Sequence, residues 1–192
     1  MKFNFKNKIV LITGGEGGLG KSICSKFIQL GAKVIVTTTN KKLINKKTKK
    51  KSYVYLDFNN RNSIQKFSND LKKINKIDIL INNAGINMVS PINEIDEKYL
   101  DEIYKVNLRG PIIMTKEISK IMIKKRRGKI INISSIFGTV GKSGRSLYSS
   151  TKFGLVGLTK SASLDLAKYN ILVNTISPGV INTGLTKKVL NS

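Results

Sequence analysis

The stretch Ile9-Val10-Leu11-Ile12-Thr13-Gly14-Gly15-Glu16-Gly17-Gly18-Leu19-Gly20 decides how the rest of the chain is read. Its first five residues are a short apolar run rich in β-branched side chains, the composition of a strand buried on both faces. Five glycines then crowd into the seven positions from Gly14 to Gly20. An amphipathic pattern follows at once, from about Leu19 to Leu30. A strand that turns through glycine straight into a helix lets backbone approach an anion, and it aims the unpaired N–H groups and positive dipole of the helix start at that anion. Glycine also serves tight turns that bind nothing, because it takes positive φ without steric cost. The order of strand, loop and helix is what favours a phosphate-bearing nucleotide here. The glycine spacing, Gly14-x-x-x-Gly18-x-Gly20, departs from the common G-x-G-x-x-G fingerprint.

The same alternation continues along the chain. Apolar runs at Ile9 to Thr13, Lys33 to Thr38, Tyr53 to Asp57, Ile77 to Asn82, Lys129 to Ser134 and Leu172 to Ile176 read as strands. Helical patterns at Leu19 to Leu30, Asn62 to Ile74, Glu97 to Lys125 and Leu147 to Lys168 fit between them. Repeated βαβ units of this kind predict an α/β fold, a doubly wound parallel sheet, in a single domain over residues 1–192. Lys41 to Lys51 holds seven lysines in eleven positions and is expected to be a solvated loop or short surface helix.

Composition removes several chemistries. With no His there is no Ser-His-Asp or Cys-His arrangement and no imidazole metal ligand, and with Cys24 alone there is no internal disulfide or thiolate cluster, so no metal site is expected. The lone thiol, the polar amino terminus and the lack of a long apolar run point to a cytoplasmic chain without a membrane span. The net charge of +24 comes from 35 basic against 11 acidic residues, and all but five of the basic ones are Lys. An AT-rich coding sequence oversupplies Lys, Asn and Ile and accounts for most of it. No finger spacing or RNP-type aromatic run supports nucleic acid as a partner.

Further landmarks come in order: Asp57 after the third strand, Asn82-Asn83-Ala84-Gly85 after the fourth, and Asn107 in the long helix. Ser134-Ser135 follow the fifth strand, then Tyr148-Ser149-Ser150-Thr151-Lys152, then Pro178-Gly179 and Thr183. Together with the glycine loop they make the chain resemble the short-chain dehydrogenase/reductase family from Lys8 to Thr183, with 3-oxoacyl-[acyl-carrier-protein] reductases among the members it looks like. Tyr148 and Lys152, four apart on a helical pattern, share a face. An ammonium beside a phenol favours the phenolate, so Lys152 is expected to bring the Tyr148 pKa down from about 10.

What the resemblance implies is a catalytic set of Asn107, Ser135, Tyr148 and Lys152. Tyr148 would exchange a proton with a carbonyl or alcohol oxygen while hydride moves to or from NAD(P), and Ser135 would hydrogen-bond that oxygen. Lys152 would also hold the nicotinamide ribose, and Asn107 would place a water that links Lys152 to solvent. By the same resemblance the cofactor would lie along Gly14, Gly18, Leu19 and Gly20, Thr39, Asp57, Asn83, Ala84 and Gly85, with Pro178, Gly179, Ile181 and Thr183 around its nicotinamide and phosphates. A carboxylate near the end of the second strand would hydrogen-bond the ribose 2′-OH and repel a 2′-phosphate. Thr37, Thr38, Thr39 and Asn40 stand there, followed by Lys41 and Lys42, so NADP is preferred over NAD, although Glu16 and Gly17 occupy the loop where many NADP-preferring relatives carry Arg.

The chain ends at Ser192, before the late helix and seventh strand that the family carries, which would leave the sixth strand at a sheet edge. The resemblance implies a homodimer or homotetramer, with Glu97 to Lys125 and Leu147 to Lys168 forming the dimer contact and the other tetramer contact needing the missing strand. The substrate implied is a carbonyl or secondary alcohol, either a 3-oxoacyl thioester on acyl carrier protein or a sugar-related compound. Arg145 is either a contact for an acidic group on a substrate or a solvated loop charge. Two rival readings stand beside the enzyme: an inactive or fragmentary dinucleotide-binding module, and a nucleic-acid binder marked by steep salt dependence.

Overall fold

The computed structural model describes residues 3–182 and Gly184. Six strands form one sheet: β1 (Ile9–Thr13), β2 (Lys33–Thr38), β3 (Lys51–Tyr55), β4 (Ile79–Asn82), β5 (Gly128–Ile133) and β6 (Ile171–Ile176). They lie in the order β3-β2-β1-β4-β5-β6, and every adjacent pair is parallel. Helices α1 (Gly18–Gln29), α2 (Arg61–Leu71), α3 (Glu97–Tyr104), α4 (Gly110–Lys124) and α5 (Ser146–Ala167) connect them. Because all strands run the same way, the loops that leave their carboxyl ends meet along one edge. The order reverses between β1 and β4, which opens a crevice there.

Side chains alternate across the sheet, so one strand feeds two cores. Leu11, Leu80, Ile130 and Val173 pack with Phe67 of α2, Met114, Ile118 and Met122 of α4 and Leu166 of α5. On the opposite face Val10, Ile12, Val34, Val36, Ile79 and Ile81 pack with Cys24 and the flanking side chains of α1. The central strands β1 and β4 are buried almost throughout, as their apolar runs required. β6 differs: Ile171 and Val173 are buried, while Leu172 and Ile176 are about half exposed at the sheet edge.

Two expectations change. The long helix from Glu97 to Lys125 is broken by a π-turn at Lys105–Arg109, with Gly110 N–H donating five residues back to the Lys105 carbonyl. Pro111 has no N–H to offer the carbonyl of Asn107, so the regular ladder cannot pass through this point. The third strand begins two residues earlier than its apolar run, because pairing with β2 runs from Val34 opposite Lys51 to Thr38 opposite Tyr55. Lys51 is accommodated by laying its ammonium 4.7 Å over the Tyr53 ring. The rest of the lysine-rich stretch is loop, apart from a 3-10 turn at Lys41–Leu43 capped by Asn40.

Candidate active site

The loops at the carboxyl edge of the sheet enclose a cleft of about 810 Å³. It is lined by Gly14, Gly18, Leu19 and Gly20 after β1, Thr39 after β2, Asp57 after β3, and Asn83, Ala84 and Gly85 after β4. Ser135, Tyr148, Lys152, Pro178, Gly179 and Ile181 complete its far wall. Of the expected residues only Asn107 lies behind that lining, while Thr183 falls outside the described residues.

The glycine loop is held by close approach. Gly14 takes φ +62°, and a Cβ there would stand 3.0 Å from Ala84 Cα. A Cβ on Gly20 would strike the Gly14 carbonyl and come within 2.6 Å of Asn83 Nδ2. Asn83 fastens this packing: its side-chain amide donates to the carbonyls of Thr13 and Gly14, each at 3.0 Å. The backbone N–H groups of Asn83 and Ala84 both donate to Thr13 Oγ1. Asn83 therefore locks the end of β4 to the loop as well as bordering the cleft. Asp57 likewise does two things, accepting from Asn59 N–H at 2.9 Å while lining the cleft.

At the other end, the carboxyl end of β5 and the start of α5 bring Ser135, Tyr148 and Lys152 together. Ser134 and Ser135 point apart, as neighbours at a strand end do: Ser134 Oγ donates to the Lys152 carbonyl (3.0 Å), and Ser135 faces the Tyr148 phenol. The Lys152 ammonium is buried, 5.5 Å from the centre of the Tyr148 ring, and donates to the Ile133 carbonyl at 2.9 Å. Asn107 is fully buried in the π-turn. It accepts from Ile86 N–H and donates to the Ile86 carbonyl, both at 2.8 Å, and reaches Thr151 Oγ1 at 3.3 Å. A Cβ on Gly85 would lie 3.5 Å from Asn107 Oδ1 and 3.6 Å from Lys152 Nζ, in ordinary van der Waals contact with both.

The electrostatics differ from the sequence expectation. Burial raises the Tyr148 pKa above the usual phenol value; Ser135 and then Arg145 oppose that rise. Lys152 is not the cation that opposes it. Burial lowers the Lys152 pKa to about 8. Arg145 is not a solvated loop charge: it is 7% exposed, its Nη1 donates to Asn87 Oδ1 at 3.1 Å, and its guanidinium lies 5.9 Å from the Phe137 ring centre. Its Nε is buried without a partner among the described residues.

Sequence reasoning passed over Asn132. Its side chain links strand to helix by accepting from Asn82 Nδ2 (2.8 Å) and donating to Thr159 Oγ1 of α5 (2.9 Å), which fixes the helix carrying Tyr148 and Lys152 against β4 and β5. The available signal was an Asn inside the apolar run of β5, since a buried amide must find partners. Among the described residues no cluster of three or more metal-ligating side chains occurs, and no helix is long and apolar enough to cross a membrane.

A parallel sheet with a glycine loop at its switch point and a Ser, Tyr and Lys group at the same edge defines a dinucleotide-dependent oxidoreductase architecture. The chain belongs to the short chain dehydrogenase family, whose pattern residues 8–192 match. It is 41% identical over 189 residues to the 3-oxoacyl-[acyl-carrier-protein] reductase of Buchnera aphidicola from Schizaphis graminum, covering 96% of this chain and 78% of that protein. It is 33% identical to the cyclopentanol dehydrogenase of a Comamonas strain over 194 residues, covering 97% and 78% respectively. A crystal structure of gluconate 5-dehydrogenase from Burkholderia cenocepacia with NADP and tartrate superposes with a TM-score of 0.91 at 25% identity, covering all of this chain and 78% of that one.

Proposed function

We propose that this chain, a single Rossmann domain, transfers hydride between NAD(P) and a carbonyl or secondary alcohol, with Asn107, Ser135, Tyr148 and Lys152 as its working residues. The observation that carries the reading is the convergence of Ser135, Tyr148 and Lys152 in the cleft whose other end is the glycine loop. The cleft fits a dinucleotide: the close packing of Gly14 on Ala84 and of Gly20 on the Gly14 carbonyl folds the loop so that Gly14 and the start of α1, Gly18, Leu19 and Gly20, line the cleft. Gly14, Gly18, Leu19 and Gly20 would hold its phosphates, Thr39, Asp57, Asn83, Ala84 and Gly85 its adenosine part, and Tyr148, Lys152, Pro178, Gly179, Ile181 and Thr183 its nicotinamide part. When bound, the dinucleotide supplies or accepts the hydride.

The protein's own share is proton transfer and positioning. A buried Tyr148 with a raised pKa stays protonated at neutral pH and is a proton donor to a substrate oxygen, the direction that carbonyl reduction needs. The Ser135 hydroxyl orients the same oxygen. Asn107 acts as a positioning residue, joining the π-turn to the Ile86 backbone beside Lys152.

For substrate we favour a 3-oxoacyl thioester on an acyl carrier protein, supported by the Buchnera relative and by the strongly positive chain, Arg126 and Arg127 included, which would suit an acidic carrier. A sugar acid is the second reading, supported by the gluconate 5-dehydrogenase likeness. A cytoplasmic homo-oligomer completes the proposal. Tyr99, Leu100, Tyr104, Ile112 and Phe153 on α3, α4 and α5 leave apolar surface exposed that a second copy would cover.

Titrating the chain with NADH and NADPH by their own fluorescence, then assaying acetoacetyl-CoA reduction, tests the reading. Tyr148→Phe should leave binding within about twofold and cut turnover by about 10²- to 10⁴-fold. Equal loss of both, or no binding of either dinucleotide, would overturn it.

A further inference from the structure

Arg145 stands where three segments of the site wall meet. Its Nη1 donates to Asn87 in the loop after β4, its guanidinium packs on Phe137 after β5, and its carbonyl accepts from Ser149 N–H at 2.7 Å at the start of α5. Loop and turn are joined again nearby, where Ser90 N–H donates to the Gly144 carbonyl at 3.0 Å. A neighbour on each segment lines the cleft: Ile86 next to Asn87, Ser135 shortly before Phe137, and Tyr148 shortly after Arg145. Arg145 is thereby fixed beside the Ser135 and Tyr148 end of the cleft.

A guanidinium stays charged and offers five N–H donors. Here only Nη1 has an acceptor among the described residues; Nε is buried without one, and Nη2 also lacks one but is not sealed from solvent as Nε is. No carboxylate pairs with this cation among the described residues. Lys142 adds to the imbalance. Its carbonyl accepts from Arg145 N–H at 3.1 Å, and its ammonium lies 6.0 Å from the centre of the same Phe137 ring, again without an ion pair among the described residues. A buried charge with open donors opposes folding, and a side chain that only tied loop to turn needs no charge to do so. Open donors on a fixed cation suit a ligand that brings an oxygen acceptor.

We propose that Arg145, braced by Asn87, determines substrate specificity by binding a second oxygen of the substrate beside the carbonyl that Tyr148 serves: the C1 oxygen of a 3-oxoacyl group, as a free carboxylate or as a thioester. The proposal rests on the hydride-transfer reading above and deepens it. Asn87 holds one edge of the guanidinium and leaves Nη2 to the substrate. A ketone without a second oxygen leaves that donor unfilled and is handled less well.

The test is reduction of three ketones, with the dinucleotide the chain binds, by the parent and by Arg145→Met: acetoacetate, the neutral thioester S-acetoacetyl-N-acetylcysteamine, and 2-pentanone, which lacks the second oxygen. The parent should favour acetoacetate or the thioester over 2-pentanone by at least about tenfold in kcat/KM, and Arg145→Met should lower that ratio by at least about tenfold. Any effect of the Arg145 charge on Tyr148 acts on all three ketones and cancels in the ratio. A ratio lost mainly on acetoacetate, and shrinking with added salt, identifies a carboxylate; one lost mainly on the thioester identifies an acyl ester. Arg145→Lys, which keeps the charge but not the planar fork, should lower the ratio by less, and it carries the comparison if Arg145→Met does not fold. A parent that does not discriminate, or equal losses on all three ketones, would overturn the proposal and leave hydride transfer standing. A parent that reduces none of them would overturn the hydride-transfer reading itself, before any variant is made.

Discussion

Replacing Lys152 with Met should make the protein more stable at neutral pH and inactive. Lys152 is 4% exposed, its ammonium has one hydrogen bond, to the Ile133 carbonyl, and it forms no ion pair with a carboxylate among the described residues. Burial lowers its pKa from 10.5 to about 8. That gap corresponds to about 3 kcal/mol by which folding is disfavoured while the group is charged in both states. Below pH 8 the cost is constant. Between about 8 and 10.5 the unfolded chain holds more protons than the folded one, so stability contributed through this group rises with pH. Above 10.5 both states are neutral and the cost is gone.

Met keeps the aliphatic stem and removes the charge, but it leaves the Ile133 carbonyl short of a donor, at about 1 kcal/mol. Lys152→Met should thus be about 2 kcal/mol more stable than the parent at pH 7, by the difference between these two figures. It should fall to about 1 kcal/mol less stable near pH 10.5, where only the lost hydrogen bond counts. Urea unfolding of both proteins across that range measures the difference, with the many other lysines cancelling between them. A parent more stable than the variant at pH 7, or a difference flat from pH 7 to 10, would refute the reasoning. A confirmed gain would identify Lys152 as a group kept against folding for the sake of the site.

Three further predictions concern the ends of the cleft. Gly20→Ala would drive a methyl group toward the Gly14 carbonyl and Asn83 Nδ2, so it should destabilise the fold by about 1–3 kcal/mol and weaken dinucleotide binding in titration. Gly17→Ala, which has φ −135° and meets nothing within 4 Å, should stay within about 0.5 kcal/mol of the parent in the same unfolding assay. Arg145→Gln removes a positive charge that opposes the rise of the Tyr148 pKa, so the phenol should ionise at still higher pH. An ultraviolet difference titration against Tyr148→Phe isolates that one phenol, and an unmoved or lowered titration midpoint would contradict the assignment.

Much of this architecture is legible locally. The runs Ile9–Thr13 and Lys33–Thr38 were read with the bounds they have in the structure, because buried strands are continuous apolar segments and their ends are marked by glycine or polar turns. Tyr148 and Lys152 were visible as an i, i+4 pair, since helical spacing alone places them on one face. The π-turn was not: its cause is the missing N–H of Pro111 acting on Asn107, which a hydrophobic period does not register. Nor was the burial of Arg145, whose place depends on Asn87 and Phe137 from other segments. The expected direction of the Tyr148 shift was reversed because sequence spacing shows a neighbouring ammonium but not desolvation, the larger effect here.

By itself the sequence determined which segments are strands and helices, where backbone must run without side chains, and which residue types can move a proton. Those properties follow from periods of two and 3.6 and from steric limits within a few residues. Only the tertiary structure decided the strand order, the placing of Asn107 and Lys152 around Gly85, and the placing of Glu16 on Thr38. Each of those joins segments far apart in the chain. They meet because six parallel strands deliver their carboxyl ends to one edge, and the neighbours assembled there, through their charge and the water they exclude, decide what each side chain does.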